Sequence, residues 1–491
     1  MENQRQGIVV KPYERLSELQ IKKVDETSRS ILEDQGLICY NKHAAAKYVE
    51  AGAKVTEEKE FARVRITSKL VDKALETAPS KIVLGAREPD NKLILDAHEP
   101  RVRFGSGSET NIWLDVKFDG DKPVFTRMDG SIERLKKAAH LCDNLENLDF
   151  FIRCVNIQDK NVTPENKDVN KFLGSLNNIT KHVQAGLTSL DQLDNVIKLG
   201  QIVAGGESEF EKNPVLSFIT CAIKSPLQMV DDTAETFMEI ARKRVPVVIS
   251  SCPMGGATGP FDEFAMVSVI NAELLAGITL NQIVSPGAPI LYGAVPVRTR
   301  LDNLNDMYGA PEFTHYNVDC AQMARFYGVP CYSTAGVADC SEPGIQSTVE
   351  KMLAYSTVPR GGAQYIHYAF GLLERTNVFC PEQAIMDDAH IGLMKHTLNE
   401  PEVADSAVDD VKAMVAEVME SSHKTFIYHL PLPTESDVYV NYPLESDSGG
   451  ALRAAHERNN EIEKAPRNNL SRDVLDQIKA EVPGVLPETI A

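Results

Sequence analysis

Short apolar runs recur through the middle of the chain, at 102–106, 150–156, 182–185, 215–220, 245–250, 289–295, 330–335 and 363–367. Each ends in small or polar residues. Between them lie stretches with helical spacing of apolar positions, at 188–203, 229–244, 261–284, 311–327, 344–357 and 382–398. Thr188-Ser-Leu-Asp opens the first of these as a capping box would, and Ser225-Pro226 stands just ahead of the second, where proline favours a helix start. Short strands alternating with helices make βαβ units and a parallel sheet. Eight strands, each followed by a helix, favour a closed (β/α)8 barrel over a doubly wound sheet.

The flanks read differently. Residues 1–100 form an N-terminal α/β cap, with helices expected at 27–35, 43–51 and 67–77 and a strand at 81–84. Gly36 and Gly52 stand where the first two helices should stop. The barrel occupies 101–400 and carries an insertion after its first strand: a hairpin (112–118 with 124–127) and a helix at 132–141. The remainder, 401–491, is a helix at 403–420 and a charged, proline-rich helical tail. Such a tail packs on its own barrel or on a neighbouring subunit, which makes a homo-oligomer an expectation.

Composition narrows the partners. The chain has 491 residues, 43% hydrophobic and 25% charged, with a formal net charge of −19 from 70 acidic and 51 basic residues. A chain so acidic is a poor nonspecific binder of nucleic acid or of an anionic membrane. A basic protein or a cationic substrate remains. No stretch approaches the length of apolar residues that a membrane span needs, and the first residues lack the apolar core of a signal peptide. Nine cysteines without a CxxC spacing indicate reduced thiols and a cytoplasmic location.

Barrel chemistry sits at the C-terminal ends of the strands. The residues found there include Ser106, Ser108, Glu109, Asn156, Gln158, Gln184, Cys221, Ser251, Cys252, Arg298, Tyr332, Thr334, Asp339, His367, Tyr368 and Phe370. Pro253-Met-Gly-Gly-Ala-Thr-Gly-Pro260 follows a strand and precedes a helix, so it is either a phosphate cradle or a tight loop; it lacks a P-loop lysine. Cys221 with Cys252, and Cys331 with Cys340, are soft donors for zinc or simply small buried side chains. His367, Tyr368 and Phe370 end the eighth strand, where imidazole serves a carboxylate and rings face a cation. Core packing accounts for them equally well.

The run 253–260, with Ala272-Glu-Leu-Leu-Ala-Gly277, Gln282, Pro286-Gly-Ala-Pro289, Tyr292-Gly293, Gly328-Val-Pro330, Gly336 to Asp339 and Gly362-Ala-Gln364, resembles the trimethylamine methyltransferase superfamily over about residues 20–430. That resemblance implies a (β/α)8 barrel. Founding members carry pyrrolysine, whereas the corresponding strand end, 335–339, holds only standard residues. The resemblance therefore implies a non-pyrrolysine member acting on a betaine-type quaternary amine such as glycine betaine, proline betaine or carnitine. Its nitrogen is already cationic and leaves as a neutral tertiary amine. The methyl acceptor implied is Co(I) of a corrinoid on a separate cognate corrinoid protein, with no cofactor held tightly by this chain and no metal ligands in it.

On that reading the substrate-binding candidates are His367 and Arg298 for a carboxylate, and Tyr368, Phe370, Tyr332 and Phe104 for the cation. Arg298 has an alternative in an ion pair with Asp302. Glu273 and Asp339 are the catalytic candidates, each with a structural alternative: a hydrogen bond for Glu273, and orientation of a site residue or capping of a helix for Asp339. Two other functions stay open: a zinc-dependent barrel methyltransferase, and a non-catalytic barrel that binds quaternary amines.

Overall fold

The computed structural model describes residues 4–399, 404–426 and 450–490. Its centre is a barrel. Strand β1 (Arg101–Val102) is carried upward by bridges at Phe104 and Gly105; β2 (Phe150–Ile152), β3 (His182–Ala185), β4 (Leu216–Thr220), β5 (Val247–Ser251), β6 (Ile290–Ala294), β7 (Cys331–Thr334) and β8 (Tyr365–His367) follow. The last seven pair in sequence order, all parallel. Phe104 bridges Ile366 and Gly105 bridges Phe150, which closes the ring. Strand β1 itself pairs antiparallel with Ile8–Val9 of the N-terminus.

Helices alternate with the strands: α1 (Ile132–Asp143), α2 (Pro164–Leu176), α3 (Leu193–Ala204), α4 (Asp231–Arg242), α5 (Glu263–Val284), α6 (Pro311–Tyr327), α7 (Ile345–Thr357) and α8 (Pro381–Leu398). All but α2 correspond to expected helices. Helix α2 buries Asp168, Asn170 and Lys171 on its inner face, so its apolar rhythm is broken. The Asp168 carboxylate accepts from the Thr188 and Ser189 amides and pairs with Lys171, which makes those charges affordable inside.

Helix α5 is the one helix among the described residues long and apolar enough to cross a membrane. It is instead the hub of the fold. The three cap helices, Glu18–Ser30, Lys42–Glu50 and Ser68–Thr77, pack around it. A helix covered on all sides has no polar face to keep. The first cap helix begins earlier than its spacing suggested, capped by Ser17, and passes into a π turn over Ile31–Gln35 before Gly36 turns the chain at φ 75°. The cap strands Leu37–Cys39, Lys54–Glu57 and Ala62–Arg65 form a sheet with Ile223–Lys224 and Gln228–Met229, two short strands from the loop after β4.

The lower end of the barrel is stoppered. Lys81–Leu84 pairs antiparallel with Leu93–Asp96, and Ile82, Leu84, Leu93 and Leu95 pack into the lumen against Phe150, Ile152, Val248 and Leu291. After the barrel, the expected helix over 403–420 forms as Ala407–Glu420, residue 403 lying outside the described residues. Helices Gly450–Lys464, Arg472–Glu481 and Pro487–Ile490 dock on α1, α2, α3 and α8 of their own barrel. That contact removes the argument by which the tail implied a second subunit.

Candidate active site

The upper lumen holds an aromatic column. Phe150 and Tyr365 stack with centroids 3.5 Å apart; Tyr332 lies 5.8 Å from Tyr365 and 4.1 Å from the His367 ring; Tyr368 covers His367 at 3.7 Å, and Tyr308 meets Tyr368 edge-on at 6.4 Å. The pleat explains the selection. Alternate residues of a strand face one side, so Tyr365 and His367 share a face of β8.

Two expectations are corrected, the first by the same alternation. Gly105 faces the lumen, where a β-carbon would overlap the Phe150 ring, so its neighbour Phe104 faces outward. There it lies under the Lys395 ammonium of α8, 5.8 Å from the ring centre. Phe370 is fully buried in the core cluster outside the lumen group. Neither ring joins the aromatic column.

His367 is enclosed. Its Nε2 lies 2.7 Å from the Thr334 hydroxyl, and burial pushes its pKa well below the usual histidine value, so the ring is neutral. Its Nδ1, the Tyr332 and Tyr365 hydroxyls and Gln184 Oε1 find no hydrogen-bond partner among the described residues. Buried polar atoms are almost always paired, so four orphans in one lumen mark a place built for a polar guest. Tyr368, half-buried above them, sits at φ 65°, a left-handed conformation costly for a tyrosine. Gly107 makes this possible, because a β-carbon there would overlap the Tyr368 ring.

The two expected catalytic carboxylates are engaged elsewhere. Glu273, fully buried in α5, accepts from Ser225 Oγ (2.8 Å), the Leu227 amide (2.9 Å) and Ser251 Oγ (2.5 Å). It ties the loop after β4 to the end of β5. Asp339 accepts from the Tyr308 amide (2.9 Å) and the Gly309 amide (3.1 Å). It orients Tyr308 and does not cap a helix. Both carboxylates are spent on hydrogen bonds from neighbouring loops and strand ends. Arg298 is committed too: its guanidinium stacks on Phe261 at 3.3 Å and donates to the Phe261 carbonyl at 3.2 Å. Asp302 pairs with Arg300 instead.

Sequence reasoning missed Arg153, directly after β2. It is 3% exposed and donates to Glu109 across the mouth at 2.5 Å, while its Nε and Nη1 meet no acceptor among the described residues. Burial works to raise the Glu109 pKa, but the charges of Arg153, Lys171 and Lys167 outweigh it and hold it at about 2. An arginine ending the run Phe150-Phe-Ile-Arg153 was the available signal.

Cys221 and Cys252 end β4 and β5 with their sulfurs 3.7 Å apart, both reached by solvent. Among the described residues no three His, Cys, Asp or Glu side chains gather as a metal would need. Two donors are one short of the three that a catalytic zinc ordinarily takes. The glycine-rich loop folds as a tight loop: the Met254 amide donates to Thr258, Gly256 to Gly259, and Ala257 and Gly259 to Met254, so these four amides are spent within it.

A parallel barrel with a stoppered base and an aromatic, strained mouth is the architecture of a barrel enzyme. The family model described as trimethylamine methyltransferase (MTTB) matches residues 2–428, and the chain belongs to that family and is a methyltransferase of it. It is 29% identical over 401 residues to a trimethylamine methyltransferase of Desulfitobacterium hafniense (strain DSM 10664 / DCB-2), covering 81% of this chain and 78% of that one. It is 26% identical over 390 residues to a glycine betaine methyltransferase of D. hafniense (strain Y51), covering 79% and 78%. A trimethylamine methyltransferase of Methanosarcina barkeri is 28% identical over 388 residues, covering 77% and 75%.

Proposed function

We propose that the chain demethylates a betaine-type quaternary amine, of the glycine betaine, proline betaine or carnitine kind, handing one N-methyl group to the corrinoid of a cognate protein in the cytoplasm and releasing a tertiary amine. The observation that carries this reading is the aromatic column with its orphaned donors: rings suited to an ammonium beside polar hydrogens suited to a carboxylate. The corrinoid cobalt, when its carrier protein docks, supplies the nucleophile.

The chain's own groups position and exclude water. Rings of Tyr332 and Tyr368 face the ammonium. Their attraction is modest, which suits a step in which the nitrogen loses its charge, because tight binding of the cation alone would not speed the reaction. The neutral His367 offers Nδ1–H when Thr334 donates to Nε2, and Arg153 replaces Arg298 as the cationic candidate for the carboxylate. The Tyr368 ring, resting on His367, is the part that must move to admit the substrate.

A panel of betaines with reduced corrinoid protein, followed by the cobalt absorption spectrum, tests the reading. Methyl transfer from a carboxylated quaternary amine, and not from tetramethylammonium, is the expected result. No transfer from any betaine would return the chain to the non-catalytic binding alternative, and stoichiometric zinc required for turnover would favour the zinc-dependent one.

A further inference from the structure

The Cys221 and Cys252 thiols have no part in the reaction as proposed, yet they are the reactive groups solvent meets at the mouth. Six of the other seven cysteines are buried. Cys221 also lines a cavity of about 730 Å³ between the cap, at Tyr40 to His43, and the start of α4. The two sulfurs face each other at 3.7 Å. A disulfide needs about 2.0 Å, so the sulfurs have roughly 1.7 Å left to close.

We propose that Cys221 and Cys252 form a reversible redox site, oxidised to a disulfide across the mouth by a small cationic disulfide and reopened by thiols. The Cys221 thiolate attacks one sulfur of the small disulfide and expels a thiolate. The resulting mixed disulfide is then attacked by the deprotonated Cys252 sulfur, which expels the second. The protein dithiol gives up two electrons and two protons, and the small disulfide leaves as two thiols. The hydrogen bond from Cys252 favours the Cys221 anion and brings its pKa to about 7, while Cys252 is pushed up, so Cys221 is the attacking member.

The cavity's charge selects the oxidant. Asp231, Asp232 and Glu235 line it together with Lys42 and His43, whose Nδ1 lies 3.0 Å from a Glu235 oxygen, so carboxylates outnumber the ammonium. An aminothiol disulfide is therefore attracted where an anionic one is repelled. The disulfide removes the mouth's thiolate and ties the ends of β4 and β5 together, and on the function proposed above it slows methyl transfer.

Cystamine and oxidised glutathione are added separately to the reduced full-length protein, followed by peptide mass mapping and return with dithiothreitol. The expected result is a Cys221–Cys252 cross-link, formed at least several-fold faster with cystamine, together with reversible loss of methyl transfer. Cys252→Ser should stop at a cysteamine adduct on Cys221. A cross-link absent at equilibrium, or adducts only on Cys340, would overturn the redox site. Cross-linking without loss of turnover would overturn its effect on the reaction. Failure of the reduced protein to transfer methyl from any betaine counts against the proposed function alone, since the cross-link is read by mass.

Discussion

Two buried histidines stand at opposite ends of one barrel. His182 begins β3 at the stoppered end; its Nδ1 meets the Gly85 carbonyl at 2.7 Å and its Nε2 the Ser217 hydroxyl at 2.7 Å. His367 ends β8 at the mouth with one nitrogen paired and one orphaned. Burial keeps both neutral. What separates them is satisfaction. The lower end pairs its polar ring and fills its volume with the hairpin; the upper end leaves polar atoms unmet and holds Tyr368 and Ser108 at positive φ. Stability is built at one end, and the capacity to take a guest is kept at the other.

The largest effect expected falls on the mouth. His367→Ala should raise KM for a carboxylated betaine by roughly 10- to 100-fold, the worth of a hydrogen bond to a charged group. Stability should fall by less than in His182→Ala, because one hydrogen bond is lost in place of two and the Thr334 hydroxyl can turn its hydrogen to the Ala294 carbonyl, 3.3 Å away. Initial rates and a melting curve check both halves. An unchanged KM, or a collapse of the fold, would erase the distinction between the two ends.

His182→Ala inverts the pattern. It strands the Gly85 carbonyl, leaves the Ser217 hydroxyl with the Gln184 amide as its remaining partner at 2.9 Å, and opens a hole, which should cost about 3 kcal/mol of stability, with KM of the folded enzyme unchanged. The acid limb offers a second measure. The folded pKa of His182 is lowered from 6.5 to about 4, by burial. Its contribution is therefore fully present above pH 6.5 and lost as pH falls toward 4, by about 2 kcal/mol at pH 5. Urea unfolding at pH 7 and pH 5 should show the native protein losing this amount and the variant losing correspondingly less.

Glycines give a smaller version of the contrast. A β-carbon on Gly107 would come nearest the Tyr368 ring, at 2.4 Å, and press on that residue's backbone nitrogen at 2.9 Å, whereas one on Gly85 would overlap the Asn213 backbone and side chain, both at 2.4 Å. The ring can turn aside and the nitrogen need give little; the Asn213 backbone beneath the barrel must move further. Gly107→Ala should lower kcat/KM roughly tenfold with stability nearly kept, and Gly85→Ala should cost about 1–3 kcal/mol with kinetics kept. A loss of activity in both, or of stability in both, would blur the division.

The strand rhythm made the barrel legible because parallel strands buried on both faces read as short apolar runs. The lower stopper was half visible, as a strand at 81–84 whose partner at 93–96 went unseen. The site was less legible. Position near a strand end put His367, Tyr332 and Tyr368 among the candidates, and all three join the aromatic column, but position does not tell which face a residue takes: Phe104 turned outward, and Phe370 went into the core. Nor does it tell whether a carboxylate is already spoken for. Glu273 takes bonds from loops 22 to 48 residues away in sequence, and Arg153 matters through Glu109, its partner across the mouth. Such pairings belong to the closed barrel and to no local pattern.

Asp339 supplies the finest test of the comparison, because it acts on the mouth at one remove. Its two oxygens hold the amides of Tyr308 and Gly309, and Tyr308 in turn meets Tyr368 edge-on. Asp339→Asn preserves the shape and one acceptor but turns an amide hydrogen toward the other backbone N–H. The Tyr308 loop should loosen without the barrel weakening. Because the Tyr308 ring only steadies its neighbour, the expected change is about threefold in kcat/KM, below 1 kcal/mol, carried by KM with kcat held. Asp339→Glu, which keeps the charge and both acceptors, should recover part of the loss. If kcat falls a hundredfold while KM holds, Asp339 touches the reacting atoms and is a catalytic residue; if neither constant moves, the aromatic column ends at Tyr368 and Tyr308 belongs with the packed scaffold.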